Sequence, residues 1–263
     1  MRKVVSIALF GDNTPYHEYL LTFVLAHANL FRREDDWHLV VHVDDATLAN
    51  EKWSAVLEKL RAADIIELRA MGTAPKCKAM LWRLSPVFEH GTDYVFCRDI
   101  DALPCPRDLA CCETFIASKM DVHTIHDSPV HVGIMGGLCG FKTEGYKSAA
   151  GIYSMSDLYR RAENIDWTLH GADQILLNAI VNRAQNMSLL EHRYNGWHCG
   201  PGKNPPAKKG TYRCKAASTP VPDQGRSSTP LINGVEQADI LANHLGSAGY
   251  DRTAAREFWR QFG

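Results

Sequence analysis

YVFCRDIDALP, residues Tyr94 to Pro104, is the stretch that decides how the chain is read. It begins as an apolar run, Tyr94–Val95–Phe96–Cys97, and turns abruptly to charge at Arg98, Asp99, Ile100 and Asp101. The run follows a turn-forming Gly91–Thr92–Asp93, so it reads as a short central strand buried on both faces. Two carboxylates one residue apart then stand at the carboxyl end of that strand, where open α/β sheets bind ligands. Asp-x-Asp supplies hard oxygen donors for Mg²⁺ or Mn²⁺, and such an ion can bridge them to a diphosphate. A bare Asp-x-Asp is more often a solvated acidic loop; the preceding buried strand and the adjacent Arg98 favour the functional reading.

Working outward, the first hundred residues alternate strand and helix. Val4–Phe10 is a strand closed by the turn residues Gly11–Asp12–Asn13, and Leu20, Phe23, Val24, His27, Leu30 and Phe31 mark one helix face. His38–Val43 is the second strand. Asp44–Asp45 follows it, able either to cap a helix or to touch a ribose or base. Trp53, Val56, Leu57 and Leu60 mark the second helix, Ile65–Leu68 a short third strand, and Lys78–Phe88 a third helix. This alternation predicts a mostly parallel, Rossmann-like sheet. The reading is of a single domain with a first half of residues 1–101 and a second half of residues 102–263.

In the second half, Pro106–Ser118 reads as helix, Val122–Ile125 as strand, and residues 126–131 as loop. Ile134–Phe141 is an apolar run broken by Gly136, Gly137 and Gly140, which marks either a bulged strand or close approach of a backbone or ligand. Asp173–Gln174 opens a buried helix, as caps or as a polar pair aimed into a pocket. Pro201–Pro230 holds six of the twelve prolines, and six basic residues against one acid; it reads as a solvated loop, with a phosphate clamp as the sharper alternative. Thr253–Phe262 is a closing amphipathic helix.

Composition narrows the class. The chain has 263 residues, 45% of them hydrophobic, and a formal charge of −1, so no global field favours nucleic acid or an acidic membrane. Eight cysteines without a Cys-x-x-Cys pair read as reduced thiols of a cytoplasmic protein. The N-terminal apolar run lacks a small-residue cleavage site, and no run reaches membrane-spanning length.

Taken together and in order, these motifs give a resemblance. The chain resembles nucleotide-sugar glycosyltransferases of the GT-A fold, most of all the glycogenin and bacterial galactosyltransferase group. It is also similar to bacterial and phage proteins whose core reads Arg-Asp-Ala-Asp-Ser. The matching elements are Phe10–Gly11–Asp12, Lys78 to Arg83, Arg98–Asp99–Ile100–Asp101, Pro106–Arg107–Asp108, and His123 to His131 leading into Gly136–Gly137–Leu138–Cys139–Gly140. Asp173–Gln174-x-x-Leu177–Asn178 and His244-x-x-Gly complete the set. The chain departs from the pattern at Ala102, His126, Ser128 and Cys139.

The resemblance implies a metal-dependent transferase taking a sugar from a nucleotide diphosphate sugar, a UDP-sugar by preference, with retention. Asp99, Asp101 and His244 would hold Mn²⁺ or Mg²⁺. Phe10, Gly11, Asp12, Lys78, Arg83, Arg98, Asp99, Gly136 and Gly137 would bind the donor. Gln174 would lie at the reacting face of the sugar and Asp173 would orient hydroxyls, with Asp127 as the acid/base of an inverting alternative. The acceptor is a saccharide or small molecule, with a modified DNA base as a phage-type option; no membrane span and no oligomeric state are implied. Rival readings are a metal-dependent phosphohydrolase built on His123, His126, Asp127 and His131, and a non-catalytic nucleotide- or nucleic-acid-binding module.

Overall fold

A computed structural model describes residues 1–126, 131–184, 186–193, 212–218, 257–258 and 260–262. Within these residues, one mixed sheet carries the strands β1 (Arg2–Leu9), β2 (Trp37–Val43), β3 (Glu67–Ala70), β4 (Thr92–Arg98), β5 (Val122–Ile125), β6 (Leu138–Lys142), β7 (Met187–Arg193) and β8 (Tyr212–Ser218). Their spatial order is β3-β2-β1-β4-β6-β5-β7-β8. Every neighbouring pair is parallel except those of β6, which runs antiparallel to both β4 and β5. The expected mostly parallel α/β sheet flanked by helices is what forms.

The helices are α1 (Leu20–Leu30), α2 (Asp45–Ala49), α3 (Glu51–Ala62), α4 (Pro106–Ala117), α5 (Thr143–Ala150), α6 (Met155–Arg161) and α7 (Ala172–Arg183). Strand periodicity divides their packing between the two faces of the sheet. Val5, Ile7, Leu9, Leu39, Val41, Val43 and Phe96 point to one core with Phe23 of α1, Leu57 of α3 and Phe115 of α4. Val4, Val40, Val95 and Cys97 point to the other, with Leu81, Leu84, Tyr146, Leu158 and Leu177. Both faces are therefore covered, which is why β1, β2 and β4 read as continuous apolar runs rather than alternating ones. Among the described residues no helix is long and apolar enough to cross a membrane.

Several boundaries differ from the expectation. The first strand begins two residues earlier, at Arg2, whose backbone N–H donates to Asp93. The third strand is Glu67–Ala70, because it pairs with Val40–Val43 and Ile65 lies before the ladder. The helix expected over Lys78–Phe88 is a 3₁₀ helix spanning Lys76–Phe88, with Pro86 in its last turn. Only Leu138–Lys142 of the glycine-broken run is strand. Within Pro201–Pro230, expected to be loop, Tyr212–Ser218 is a strand paired in parallel with β7. Its alternation of Tyr212, Cys214 and Ala216 with polar neighbours is a strand signal that the surrounding prolines masked. Of the closing helix expected over Thr253–Phe262, residues 257–258 and 260–262 are described and helical, and Phe258 and Phe262 pack against the first core.

The same alternation decides the fate of the charged end of β4. Arg98 shares the face of Phe96 and points toward α4, where its guanidinium meets the Asp108 carboxylate at 2.7 Å. It also donates to the carbonyls of Cys97 (2.7 Å) and Cys139 (2.9 Å). The two side chains are 1% and 0% exposed. Burial alone would discharge Arg98; Asp108 outweighs it and holds the guanidinium protonated more firmly than usual. A paired charge this deep is costly to orphan. Asp108→Ala is therefore expected to destabilise the fold by roughly 3–5 kcal/mol. The double change Arg98→Met with Asp108→Leu is expected to cost less than that single one. Chemical denaturation measures both, and a single-mutant loss below about 1 kcal/mol would contradict the assignment.

Buried histidines make the fold acid-sensitive. His27, His42 and His192 are each driven down to about 3, chiefly by burial. Their folded pKa lies below the unfolded value of about 6.5, so between those limits the unfolded chain binds protons that the folded chain refuses. Stability is complete above about pH 6.5 and is lost as pH falls toward 3, by up to roughly 1.4 kcal/mol per pH unit for each histidine. His42 holds the Ile7 carbonyl at 3.1 Å and the Ser85 hydroxyl at 2.8 Å. His42→Gln should flatten the loss of stability between pH 6.5 and 5 by about one proton's worth, read as Tm against pH; an unchanged slope would rule His42 out as a contributor.

Candidate functional site

Strand order reverses between β1 and β4: the chain leaves β1 toward β2 on one side, and β4 pairs on the other. At such a point the two connections diverge and leave a crevice at the carboxyl ends of the strands. Phe10–Gly11–Asp12 and Asp99–Ile100–Asp101 are the two segments that open onto it.

The first segment is held by the start of α2. Gly11 takes φ +90°, a conformation that side-chain-bearing residues rarely adopt. Its N–H donates to Asp44 Oδ2 at 2.8 Å, while Asp44 Oδ1 accepts from Thr47 N at 2.8 Å and caps α2. Asp44 thus takes the capping role of its two sequence readings. Thr47 Oγ1 donates to the Gly11 carbonyl, and His17 reaches the same hydroxyl at 3.1 Å. Phe10 packs edge-on against Trp82. Asp12 is exposed and accepts a bond from Asn50.

The second segment is organised by Arg83, which is 2% exposed in the 3₁₀ helix. Asp99 has the opposite strand parity to Arg98, so it faces this helix rather than α4. Arg83 Nη1 donates to Asp99 Oδ1 and to the Arg98 carbonyl, Nη2 donates to Asp173 Oδ2 at 2.7 Å, and Nε donates to the Met80 carbonyl. Burial opposes this charge, but Asp99 and Asp173 outweigh it and keep the guanidinium protonated. Asp173 is consequently not the cap of α7; the N-cap is Gly171, with φ +77°. One cation joins the acid of the Asp-x-Asp motif to the first turn of α7.

Gly136 and Gly137 complete the arrangement. A Cβ on Gly137 would land on the Asp99 carboxylate, and one on Gly136 would meet the Asp173 carboxylate and, at 3.3 Å, Gln174 Cγ. The Gly137 carbonyl also accepts from Asp99 N at 3.2 Å. What approaches the glycine backbone is therefore the protein's own acids. The thiols behind them donate to backbone on either side, Cys97 to the Arg83 carbonyl and Cys139 to the Gly136 carbonyl, both at 3.5 Å.

Asp99 is 38% exposed at its side chain and Asp101 is half-buried. Burial, and next the Asp99 charge, push the Asp101 carboxyl up. Tyr19, absent from the sequence-based site, lies close enough for Asp101 to raise its phenol as well, after burial. Two crowded hard-oxygen donors fit a divalent cation, which would relieve their mutual repulsion. His244, the expected third ligand, and Asp127, the alternative acid/base, lie outside the described residues.

One expectation changes. Arg98 is turned away from the crevice and spent on Asp108, so it is not carried forward as a donor ligand. Lys78 stacks over the Tyr159 ring at 5.1 Å. Of the histidine cluster, His123 is fully buried and stacked on Phe115 with 4.5 Å between centroids, and His126 bonds the Gly133 carbonyl at 2.8 Å, while Asp127 lies outside the described residues. Among the described residues no group of three or more His, Cys, Asp or Glu side chains is placed to share a metal. Asn178, quoted in the helix motif without a role, is the polar residue that the sequence left unassigned; its three backbone bonds are described below.

The glycine contact has a direct consequence. Gly137→Ala should displace the Asp99 carboxylate, and a Mn²⁺ ion held by Asp99 and Asp101 would then bind about tenfold or more weakly, since the partners that orient ligands are worth that much. A Mn²⁺ titration followed by electron paramagnetic resonance measures it, and an unchanged Kd would contradict the role of the close approach.

No protein-family model matches the chain, and no curated protein matches it either. Solved structures that do match include the mannosyltransferase PcManGT from Pyrobaculum calidifontis in complex with GDP-Man and Mn²⁺, at 17% identity, over 70% of this chain and 52% of that one, with a TM-score of 0.45. S. aureus TarS 1-349 matches at 16% identity, over 69% of this chain and 56% of that one, also with a TM-score of 0.45. The chain spans about half the length of each of these structures.

Proposed function

We propose that the protein is a metal-dependent glycosyltransferase of the GT-A type that takes a sugar from a nucleotide diphosphate sugar, a UDP-sugar by preference. The observation that carries this reading is the pair Asp99 and Asp101 at the carboxyl end of β4, facing Phe10–Gly11–Asp12 across the point where strand order reverses. A reversal of strand order is where open α/β sheets take ligands, and two carboxylates there supply hard donors that would suit a divalent ion beside a diphosphate.

Asp99 and Asp101, with His244 as the expected third ligand, would hold Mn²⁺ or Mg²⁺. Such an ion supplies a Lewis acid for the leaving nucleoside diphosphate, whose negative charge grows as the glycosidic bond breaks. The chain's own residues set the geometry around it. Arg83 fixes the orientation of Asp99 and Asp173 without leaving the interior, so its part is to position acids rather than to bind donor. Gly136 and Gly137 bring backbone flush against those acids. Gln174, half-buried beside Gly136, would face the sugar, and a weakly nucleophilic amide there would suit transfer with retention. The acceptor is a saccharide or a small molecule; the basic Pro201–Pro230 stretch keeps a nucleic-acid acceptor as the alternative to be tested.

A panel of nucleotide sugars with Mn²⁺, with nucleotide release followed with and without candidate acceptors, tests the reading. Asp101→Asn should keep the fold, judged by its melting curve, and lose at least about a hundredfold in turnover, because one charged ligand becomes neutral. Full activity in excess chelator, or in that variant, would overturn the proposal.

Donor binding gives a second expectation that needs no acceptor. A UDP-sugar at about a hundredfold over its Kd should stabilise the protein by about 2.7 kcal/mol in the presence of Mn²⁺. The same ligand with chelator should give a much smaller shift. Equal thermal shifts in the two conditions would mean that the metal does not bridge protein and donor.

A further inference from the structure

Asn178 makes a set of contacts that the site described so far does not use. It lies one turn after Gln174 in α7. Its Nδ2 donates to the Gln174 carbonyl at 2.7 Å and to the Ile134 carbonyl at 3.1 Å, while its Oδ1 accepts from Ile134 N at 2.9 Å. The amide thus pairs with both backbone groups of Ile134, as a neighbouring strand would. Gly133, with φ +66°, lies directly against it, and a Cβ there would strike Asn178 Oδ1. On the other side of the same turn, Thr124 Oγ1 donates to the Gly133 carbonyl at 3.3 Å and accepts from Met135 N at 3.0 Å. His126 adds a bond to the Gly133 carbonyl.

The turn held in this way ends in Gly136 and Gly137, the two residues that lie flush on Asp173 and Asp99. Asp173 is next to Gln174 in α7 itself, so the position of the turn along α7 bears on how far the Asp99 carboxylate, which lies against Gly137, stands from Gln174. We infer that Asn178 is a positioning residue: it latches the Gly133–Gly137 turn to α7 and thereby fixes the spacing between Gln174 and the Asp99 carboxylate. Its effect on transfer rests on the glycosyltransferase reading above; the latch itself does not. Asparagine suits the task because one side chain carries both a donor and an acceptor. Aspartate would set an acceptor against two carbonyls, and leucine would leave the Ile134 N–H without its partner.

The test combines amide hydrogen exchange with kinetics on the full chain. Asn178→Ala should speed exchange at the Ile134 amide. Thr124→Val, an isosteric change that removes only the hydroxyl, should speed it at Met135 and serves as the second lever if Asn178→Ala folds poorly. In nucleotide-release assays with Mn²⁺, kcat should fall about 10- to 100-fold in both variants, as expected for a displacement of about 1 Å, with donor KM within about threefold of wild type. A purely structural role would lower Tm and the active fraction but leave kcat per active site unmoved. Unchanged exchange at both amides would overturn the latch, and faster exchange with unchanged kcat would overturn the positioning role. If the wild-type protein releases nucleotide from no donor, the glycosyltransferase reading fails, while exchange at Ile134 and Met135 still decides the latch.

Discussion

One buried guanidinium holds the site together. Arg83 bonds Asp99 at the end of β4 and Asp173 at the start of α7, two acids from distant parts of the chain. Bringing two carboxylates together inside a protein is costly unless a cation stands between them. The rest of the arrangement follows from supplying that cation and giving it room: a tightly wound helix to carry it, glycines to admit the acids, and thiols small enough to sit behind them. A site ordered by charge pairing within the protein is preorganised before any ligand arrives, and such preorganisation is where enzymes gain most of their electrostatic advantage.

The second constraint is topological. The single antiparallel strand, β6, returns toward β4, and so the turn before it arrives at the carboxyl end of β4 rather than at the opposite edge of the sheet. That is how Gly136 and Gly137 reach Asp99. The first half of the chain supplies an ordinary parallel crevice, and the reversed strand closes it from the side. Asn178 and Thr124 then tie the turn to its surroundings on both flanks.

Much of the fold was legible because hydrophobic runs of strand length are a local property. β2, β4 and β5 came within a residue or so of their observed ends, and Asp99 and Asp101 stood out as charge at the end of a buried run. What was illegible was direction. Arg98 and Asp99 are adjacent in sequence, yet one faces α4 and the other the 3₁₀ helix, and no composition rule says which. The pairing of Arg83 with Asp173 joins residues 90 positions apart, beyond any local pattern. Helices α5 and α6 escape for a different reason: at eight and seven residues they hold too few apolar positions to show a period, and β7, although as long as β2, has only Met187, Leu189 and Leu190 as apolar residues. Tyr212–Ser218 was hidden by the prolines on either side of it.

The strict two-residue alternation of β4 also makes the length of this segment count for more than its composition. Substitutions among Val95, Phe96 and Cys97 trade one packing volume for another. Deleting a single residue there would send every later side chain to the opposite face of the sheet. Asp99 would then be swung toward Asp108, acid against acid, and Arg98 toward Arg83, cation against cation. Two attractive pairs would become two repulsive ones in a single step. The chain can therefore drift in sequence through this strand while the spacing from Tyr94 to Asp99 stays fixed, and that spacing, rather than any one apolar residue, is the part of β4 that selection has least freedom to change.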